Sequence, residues 1–180
     1  MSTSTAKDDS RFRVLIPEDR LQARIRELGK QIRADFGDRP ITCICVLKGS
    51  FIFTADLVRA IGGELETEFL GVSSYQGGTQ STGVVQITKD LSGPIEDKDV
   101  IIIEDIIDTG LTMHYLLEML AVRQPRTLAV CTLLDKPCNR EVEMEADYVG
   151  FSIPDEFVVG YGLDLAERYR NLPHIAVYTP

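Results

Sequence analysis

Two rhythms of apolar positions run along the chain. In "PEDRLQARIRELGKQIRADFGD", Leu21, Ile25, Leu28, Ile32 and Phe36 recur at spacings of four and three, the stripe of one helix face. Pro17 at the start, with Glu18 and Asp19 behind it, suits the positive end of a helix, and Gly37 is its expected stop. A different pattern follows. "ITCICVLKGS" is apolar without interruption and ends in Lys48-Gly49-Ser50, after which "FIFTADLVRAIGG" predicts a helix closed by Gly62 and Gly63. "DVIIIED" and "LTMHYLLEMLAVRQP" repeat the strand-then-helix order, and "RTLAVCTLLDKPC" is a further buried strand ending at Asp135-Lys136.

"LETEFLGVSSY" and "GVVQITKDL" are shorter apolar runs broken by polar residues. They predict half-exposed strands on either side of "SSYQGGTQSTG", a loop rich in Gly, Ser, Thr and Gln. "DYVGFSIPDEFVVGYGLD" mixes short strands with turns, "LAERYRNL" is expected as a last helix, and "HIAVY" follows it. Strands that are apolar throughout and alternate with helices predict an α/β fold, a twisted, mostly parallel sheet flanked by helices. In such folds ligands bind beyond the carboxyl ends of the strands. Lys48-Gly49, Glu104-Asp105 through Thr112, and Asp135-Lys136 are therefore expected on one rim.

Composition narrows the class. A chain of 180 residues fits one domain, expected over 11–180, with the polar stretch 1–10 as a frayed tail. The formal net charge of -9 argues against nucleic acid and anionic membranes as partners, since both ask for a basic patch. No apolar run reaches the ~20 residues of a membrane span, and no signal-peptide core precedes the first helix, so a soluble, cytoplasmic protein is expected. Cys43, Cys45, Cys131 and Cys138 lack zinc-ligand spacing and predict reduced thiols, the first three in buried strands.

The chemistry concentrates in "VIIIEDIIDTGLT". Small residues from Asp108 to Thr112 let successive amides converge on one point, and the following helix adds its positive end, which makes a cradle for a phosphate monoester. A nucleoside-triphosphate loop would need two glycines at longer spacing and a lysine, and this turn has Leu111 instead. Glu104 and Asp105 beside a phosphate make sense when the ligand also carries hydroxyls, because a carboxylate accepts hydroxyl hydrogen bonds. Together these describe a ribose 5-phosphate. The plainer alternative is a set of solvated acids at a helix end.

"VIIIEDIIDTGLT" resembles the phosphoribosyl pyrophosphate motif of the purine phosphoribosyltransferases, most closely their hypoxanthine-guanine branch. "LKGSFIFTADL", "SSYQGGTQSTG", "TLLDKP" and "VGFSIPDEFVVGYGLD" resemble that branch in the same order, so the similarity runs from about Val46 to Arg170. Some relatives carry Lys at the position of Leu111, which leaves amides and hydroxyls to hold the phosphate here.

The resemblance implies a small hood subdomain, built from the N-terminal segment and the C-terminal region, and a flexible active-site loop at about 73–83. It implies transfer of the 5-phosphoribosyl group from phosphoribosyl pyrophosphate to hypoxanthine or guanine, giving IMP or GMP and pyrophosphate. Asp108 would be the general base for the purine proton. An ordinary Asp is a weak base at neutral pH, so a buried position is expected for it. Its alternative role is to cap the following helix. Glu104 and Asp105 would accept the ribose hydroxyls, while Ile107, Asp108, Thr109, Gly110, Leu111 and Thr112 would hold the 5-phosphate.

Lys48 and Gly49, with a non-proline cis peptide before the glycine in Leu47-Lys48-Gly49, would bind pyrophosphate together with Arg170, Ser74 and Tyr75. Read without the resemblance, the first two are a plain turn and Arg170 a solvated charge on a helix. Lys136 would read the purine 6-oxo group, since an ammonium only donates. Phe157, Val158 and Asp164 would complete the purine site; the first two are otherwise core residues. Magnesium is the implied cofactor, bound by Asp164, with Glu104 and Asp105 as further candidate ligands. The family also implies a homodimer or homotetramer. The alternative from another class is a non-catalytic regulator on the same scaffold that senses phosphoribosyl pyrophosphate or nucleotide.

Overall fold

The computed structural model describes residues 11–74 and 85–179. Elements follow in the order β1 (Phe12–Ile16), α1 (Glu18–Phe36), β2 (Ile41–Leu47), α2 (Phe51–Ile61), β3 (Leu65–Ser74), β4 (Val85–Lys89), β5 (Asp99–Ile107), α3 (Leu111–Ala121), β6 (Thr127–Asp135), β7 (Tyr148–Ser152), β8 (Val158–Val159) and β9 (Ile175–Tyr178). A 3-10 turn at Pro137–Asn139 follows β6.

The main sheet has strand order β4-β3-β2-β5-β6-β7, all parallel except β4 against β3. Its central strands are buried on both faces, which is why β2 and β5 read as continuous apolar runs. Ile101 and Ile103 face one core with Leu21, Ile25, Leu28, Ile32, Phe53 and Leu57 from the α1 and α2 side. Val100 and Ile102 face the other, with Met113, Leu116 and Leu120 of α3. The alternation of strand side chains thus divides the isoleucine run between two cores. β1, β9 and β8 form a separate antiparallel sheet that joins the N-terminal strand to the C-terminal region.

The α1 pattern survives intact: Leu21, Ile25, Leu28, Ile32 and Phe36 are its buried residues, and Gly37 closes it by donating to Arg33 O at 2.8 Å. Cys43, Cys45 and Cys131 are buried free thiols, and Cys138 is exposed. Among the described residues no helix is long and apolar enough to cross a membrane.

The expected last helix does not form. Residues 165–172 are turns, with a bridge between Leu165 and Arg168 and positive φ at Ala166, Glu167 and Tyr169. The reason is local competition for backbone groups. Leu165 and Arg168 exchange both backbone bonds at 3.1 Å and Leu172 N donates to Tyr169 O at 3.1 Å, so groups that a helix would have used are bonded within turns instead. Arg170 O and Leu172 O accept from Gly162 N and Tyr161 N at 2.9 Å. β1 is the converse: this short run of Phe12, Arg13, Val14, Leu15 and Ile16 carried no strand expectation, and pairing with β9 makes it one. Most of the expected loop at about 73–83, Tyr75 included, lies outside the described residues.

Candidate active site

Ladder register explains where a crevice opens. β2 pairs with β5 only as far as Cys45 opposite Ile103, whereas β2 stays with β3 through Leu47 and β5 stays with β6 through Ile107. Beyond Cys45 and Ile103 the sheet parts between its two halves. This is also where strand order reverses, the place at which open α/β sheets bind ligands. Glu104 and Asp105 are the first residues of β5 past the last β2 pair. Lys48 and Gly49 stand across from them, and the Leu47–Lys48 peptide is cis, as the resemblance implied.

The two sides touch. A Cβ on Gly49 would overlap the Asp105 carboxylate, and one on Gly162 would overlap the Gly49 carbonyl. Three segments therefore meet with only glycine backbone at the contacts. Glu104 is buried and Asp105 partly buried. Burial, followed by the neighbouring Asp105 charge, pushes the Glu104 carboxyl well above its usual range. Burial likewise raises Asp105, against the pull of its hydrogen bonds and of the nearby Arg170 charge.

Past Ile107 the chain turns through Asp108, Thr109 and Gly110 into α3. Gly110 caps the helix at φ 86°, a left-handed conformation that favours glycine. The N-cap glycine has no side chain to bond the first turn, and Thr109 Oγ1 accepts only from the Leu111 amide, at a long 3.4 Å. The first-turn amides are thus open to an anion. A cavity of about 100 Å³ lies here, lined by Glu104, Ile107, Asp108, Thr109, Gly110 and Thr112 among others. Whole ligand pockets run to ~300–1,000 Å³, so this volume suits one group of a larger ligand.

Asp108 is exposed, which departs from the buried position expected of a base. Hydrogen bonding holds it instead: Asn139 Nδ2 donates to Asp108 Oδ1 at 2.8 Å, and Arg140 Nη1 donates to its backbone oxygen at 2.7 Å. At the end of β6, Lys136 is buried, with Nζ 3.6 Å from Asp155 Oδ1. Phe157 is 53% exposed, its ring edge-on to Tyr178 at 6.3 Å, so it is available for stacking rather than a core residue. Val158 is buried in β8.

Arg170 is not on a helix. It spans Asp164 Oδ1 at 2.8 Å and Glu167 Oε2 at 3.3 Å, and Lys48 Nζ lies 3.2 Å from Glu167 Oε1. Lys48 and Arg170 thus converge on one carboxylate. Ser74 ends β3, its backbone paired with Val85. Among the described residues no group of three or more candidate ligand side chains comes together that could hold a metal. Asp164, Glu104 and Asp105 do not make one closed ligand set.

Several residues of the site were not singled out in the sequence. Asn139 and Arg140 belong to no pattern or motif, whereas Asp155 and Gly162 lie within "VGFSIPDEFVVGYGLD" and Glu167 within the expected last helix, and the tertiary contacts give all five their place. Arg140 also pairs with Asp135.

Comparison with known proteins agrees with this geometry. The model of the phosphoribosyl transferase domain family matches residues 17–166. A hypoxanthine-guanine phosphoribosyltransferase of Staphylococcus epidermidis is 54% identical over 162 residues, 90% of each chain. The bifunctional protein TilS/HprT of Listeria monocytogenes is 51% identical over 168 residues, and this chain spans only 26% of its length. Among solved structures, a hypoxanthine phosphoribosyltransferase of Staphylococcus aureus superposes with TM-score 0.93 at 48% identity, covering 98% of this chain and 97% of that one. A hypoxanthine-guanine phosphoribosyltransferase of Bacillus anthracis gives 0.89 at 50% identity, covering 93% and 98%. With a parting between β2 and β5, a phosphate-sized cradle at α3 and relatives at this identity along most of its length, the chain belongs to the phosphoribosyltransferase family, in its hypoxanthine-guanine branch.

Proposed function

We propose that this protein transfers the 5-phosphoribosyl group of phosphoribosyl pyrophosphate to hypoxanthine or guanine, releasing pyrophosphate and forming IMP or GMP. The observation that carries this reading is the parting of β2 from β5, with Lys48-Gly49 on one side and Glu104-Asp105 on the other. The α3 turn then lies at one end of the crevice, and Lys136 at the adjacent strand end.

Purine nitrogen attacks the anomeric carbon as the bond to pyrophosphate oxygen breaks, and the purine proton passes to Asp108. The sugar carbon becomes cation-like on the way, so charge placement and orientation carry the catalysis. Glu104 and Asp105 accept the ribose hydroxyls. The amides and hydroxyls from Asp108 to Thr112 hold the 5-phosphate. Lys48, Gly49 and Arg170 take pyrophosphate, with Ser74 and Tyr75 as further contacts. Lys136 donates to the 6-oxo group, Phe157 stacks on the ring, and Val158 meets its edge.

The oxygen donors present suit magnesium, which prefers one or two carboxylates and completes its shell with water and substrate phosphates. Asp164 would hold it, with Glu104 and Asp105 on the same crevice, and it would neutralise charge on the leaving pyrophosphate. Reduced, buried thiols fit a cytoplasmic location, and a homodimer or homotetramer is the assembly expected from the family resemblance.

The test is an assay with phosphoribosyl pyrophosphate, magnesium and one of hypoxanthine, guanine, xanthine or adenine. Nucleotide from a 6-oxopurine is the expected result. No product from any of them would leave the scaffold as a non-catalytic sensor.

A further inference from the structure

Residues 136–141 are stitched onto the turn that carries Asp108. Lys136 N donates to Ile107 O at 2.9 Å, Arg140 Nη1 to Asp108 O at 2.7 Å, and Glu141 N to Thr109 O at 2.9 Å. These bonds fix the Asp108 backbone without any contribution from the Asn139 side chain.

That side chain does something different. Asn139 Nδ2 donates to Asp108 Oδ1 at 2.8 Å and to Asp155 Oδ1 at 2.9 Å. Both partners are carboxylate oxygens, acceptors when ionised, so the nitrogen and not the oxygen of the amide must face them. An amide nitrogen has two hydrogens, and here each serves one carboxylate. Asp155 in turn lies 3.6 Å from Lys136 Nζ and stands just ahead of Phe157 and Val158. A chain of contacts thus runs from Asp108 through Asn139 and Asp155 to Lys136.

The geometry points to Asn139 as a positioning residue for phosphoribosyl transfer: it holds Oδ1 of Asp108, leaves Oδ2 to take the purine proton, and ties the base to Lys136 through Asp155. This rests on the reading of Asp108 as the base. Asp108 is exposed, and its carboxylate can otherwise swing toward water. A base acts only when it lies within hydrogen-bond reach of its proton. The amide also separates two like charges that would repel each other, without adding a charge of its own.

A double-mutant cycle in the full-length protein tests the inference. In the forward reaction with hypoxanthine, Asn139→Ala lowers kcat about tenfold, while KM for phosphoribosyl pyrophosphate stays within about twofold, because the phosphate turn is held by backbone bonds. In the Asp108→Ala background the same change has no further effect. Asn139→Asp puts an acceptor where the donor was, lowers kcat more, and moves the acid limb of the pH–rate profile upward. The charged groups around Asp108, namely Glu104 on the same cavity, Arg140 beyond the 3-10 turn, Asp155 ahead of β8 and Lys136 beside Asp155, are the same in every variant. Unchanged kcat in Asn139→Ala, or an equal fractional loss with and without Asp108, overturns the inference. If Asp108→Ala alone turns over like the parent, the base assignment fails and Asn139 has nothing to position. That outcome is distinct from an Asn139→Ala protein of full activity beside a slow Asp108→Ala.

Discussion

The backbone of Gly49 lies directly against the carboxylate of Asp105, with no room for a Cβ between them. A glycine turn from one half of the sheet thereby rests on an acidic residue from the other. Gly49→Ala must displace one or the other, and the adjustment falls on backbone proposed to bind pyrophosphate. A misplacement of about 1 Å can cost on the order of 100-fold, so a loss of that size in kcat/KM for phosphoribosyl pyrophosphate is expected. Steady-state kinetics with purine saturating reads it directly.

Glu104 is held in a position that disfavours its charge. Its folded pKa is raised by burial first and by Asp105 second, so the native state keeps a proton that the unfolded chain releases above pH ~4.3. Stability of the unliganded protein therefore falls as pH rises from about that value through the folded pKa. Glu104→Gln removes the ionisation and should raise stability near neutral pH by ~0.5–2 kcal/mol, with the gain growing as pH increases. On the proposed ribose role it also exchanges a carboxyl acceptor for an amide, a change of ~0.5–1.5 kcal/mol in transition-state binding. Denaturant melts at several pH values, set beside kcat/KM, measure both. A melt insensitive to the substitution would remove the strain argument.

Lys136 offers only donors to whatever lies above it. Replacing it with Gln supplies an amide that can donate or accept, so selectivity for 6-oxopurines over adenine should relax. Loss of the ammonium should lower kcat/KM for hypoxanthine roughly 10–100-fold, the effect of one charged hydrogen bond. Competition between hypoxanthine and adenine shows the change. Full discrimination in Lys136→Gln would place the reading of the 6-position elsewhere.

Asp99 sits at the other end of β5, fully buried and bonded to Arg126 at 2.5 and 3.0 Å, to Thr127 at 2.9 Å and to Arg39. The Arg126 hydrogen bond foremost holds its carboxyl below the usual range. That stabilisation is present above the unfolded value of ~3.9 and is lost as pH falls below it through the folded value. Asp99→Asn should therefore destabilise the protein by about 1.5–3 kcal/mol at neutral pH, with the gap closing on acidification below pH ~4. Because the site is at the opposite strand end, kcat at a temperature where the variant is folded should not change. Urea unfolding at pH 7 and pH 3 tests the sign.

Contacts local along the chain are legible in the amino-acid order itself. The stripe of α1, the glycine after it, and the uninterrupted run from Val100 to Ile103 each predict one element, because helix faces and doubly buried strands impose their own periods. The turn after β5 is legible for the same reason: a small-residue stretch between strand and helix has few geometries, and Gly110 adopts the left-handed one. The chain order misleads at residues 165–172, where Leu165 and Arg168 pair with each other and the carbonyls of Arg170 and Leu172 accept from Gly162 and Tyr161 rather than from a helix.

The remaining parts were decided by tertiary structure. The sequence alone determined the α/β class, the apolar faces, and the placement of Lys48, Glu104, Asp105, Asp108 and Lys136 at strand ends. It left open which strands are neighbours, and so did not say where the sheet parts. Only the folded chain sets Gly49 on Asp105, directs Lys48 and Arg170 to Glu167, and leaves Asp108 exposed under the amide of Asn139 rather than buried. The physical reason is range: a helical stripe is written within a few turns of chain, whereas the contacts of Asn139 with Asp108 and of Lys48 with Glu167 join residues 31 and 119 positions apart, brought together by the packing of strands and loops.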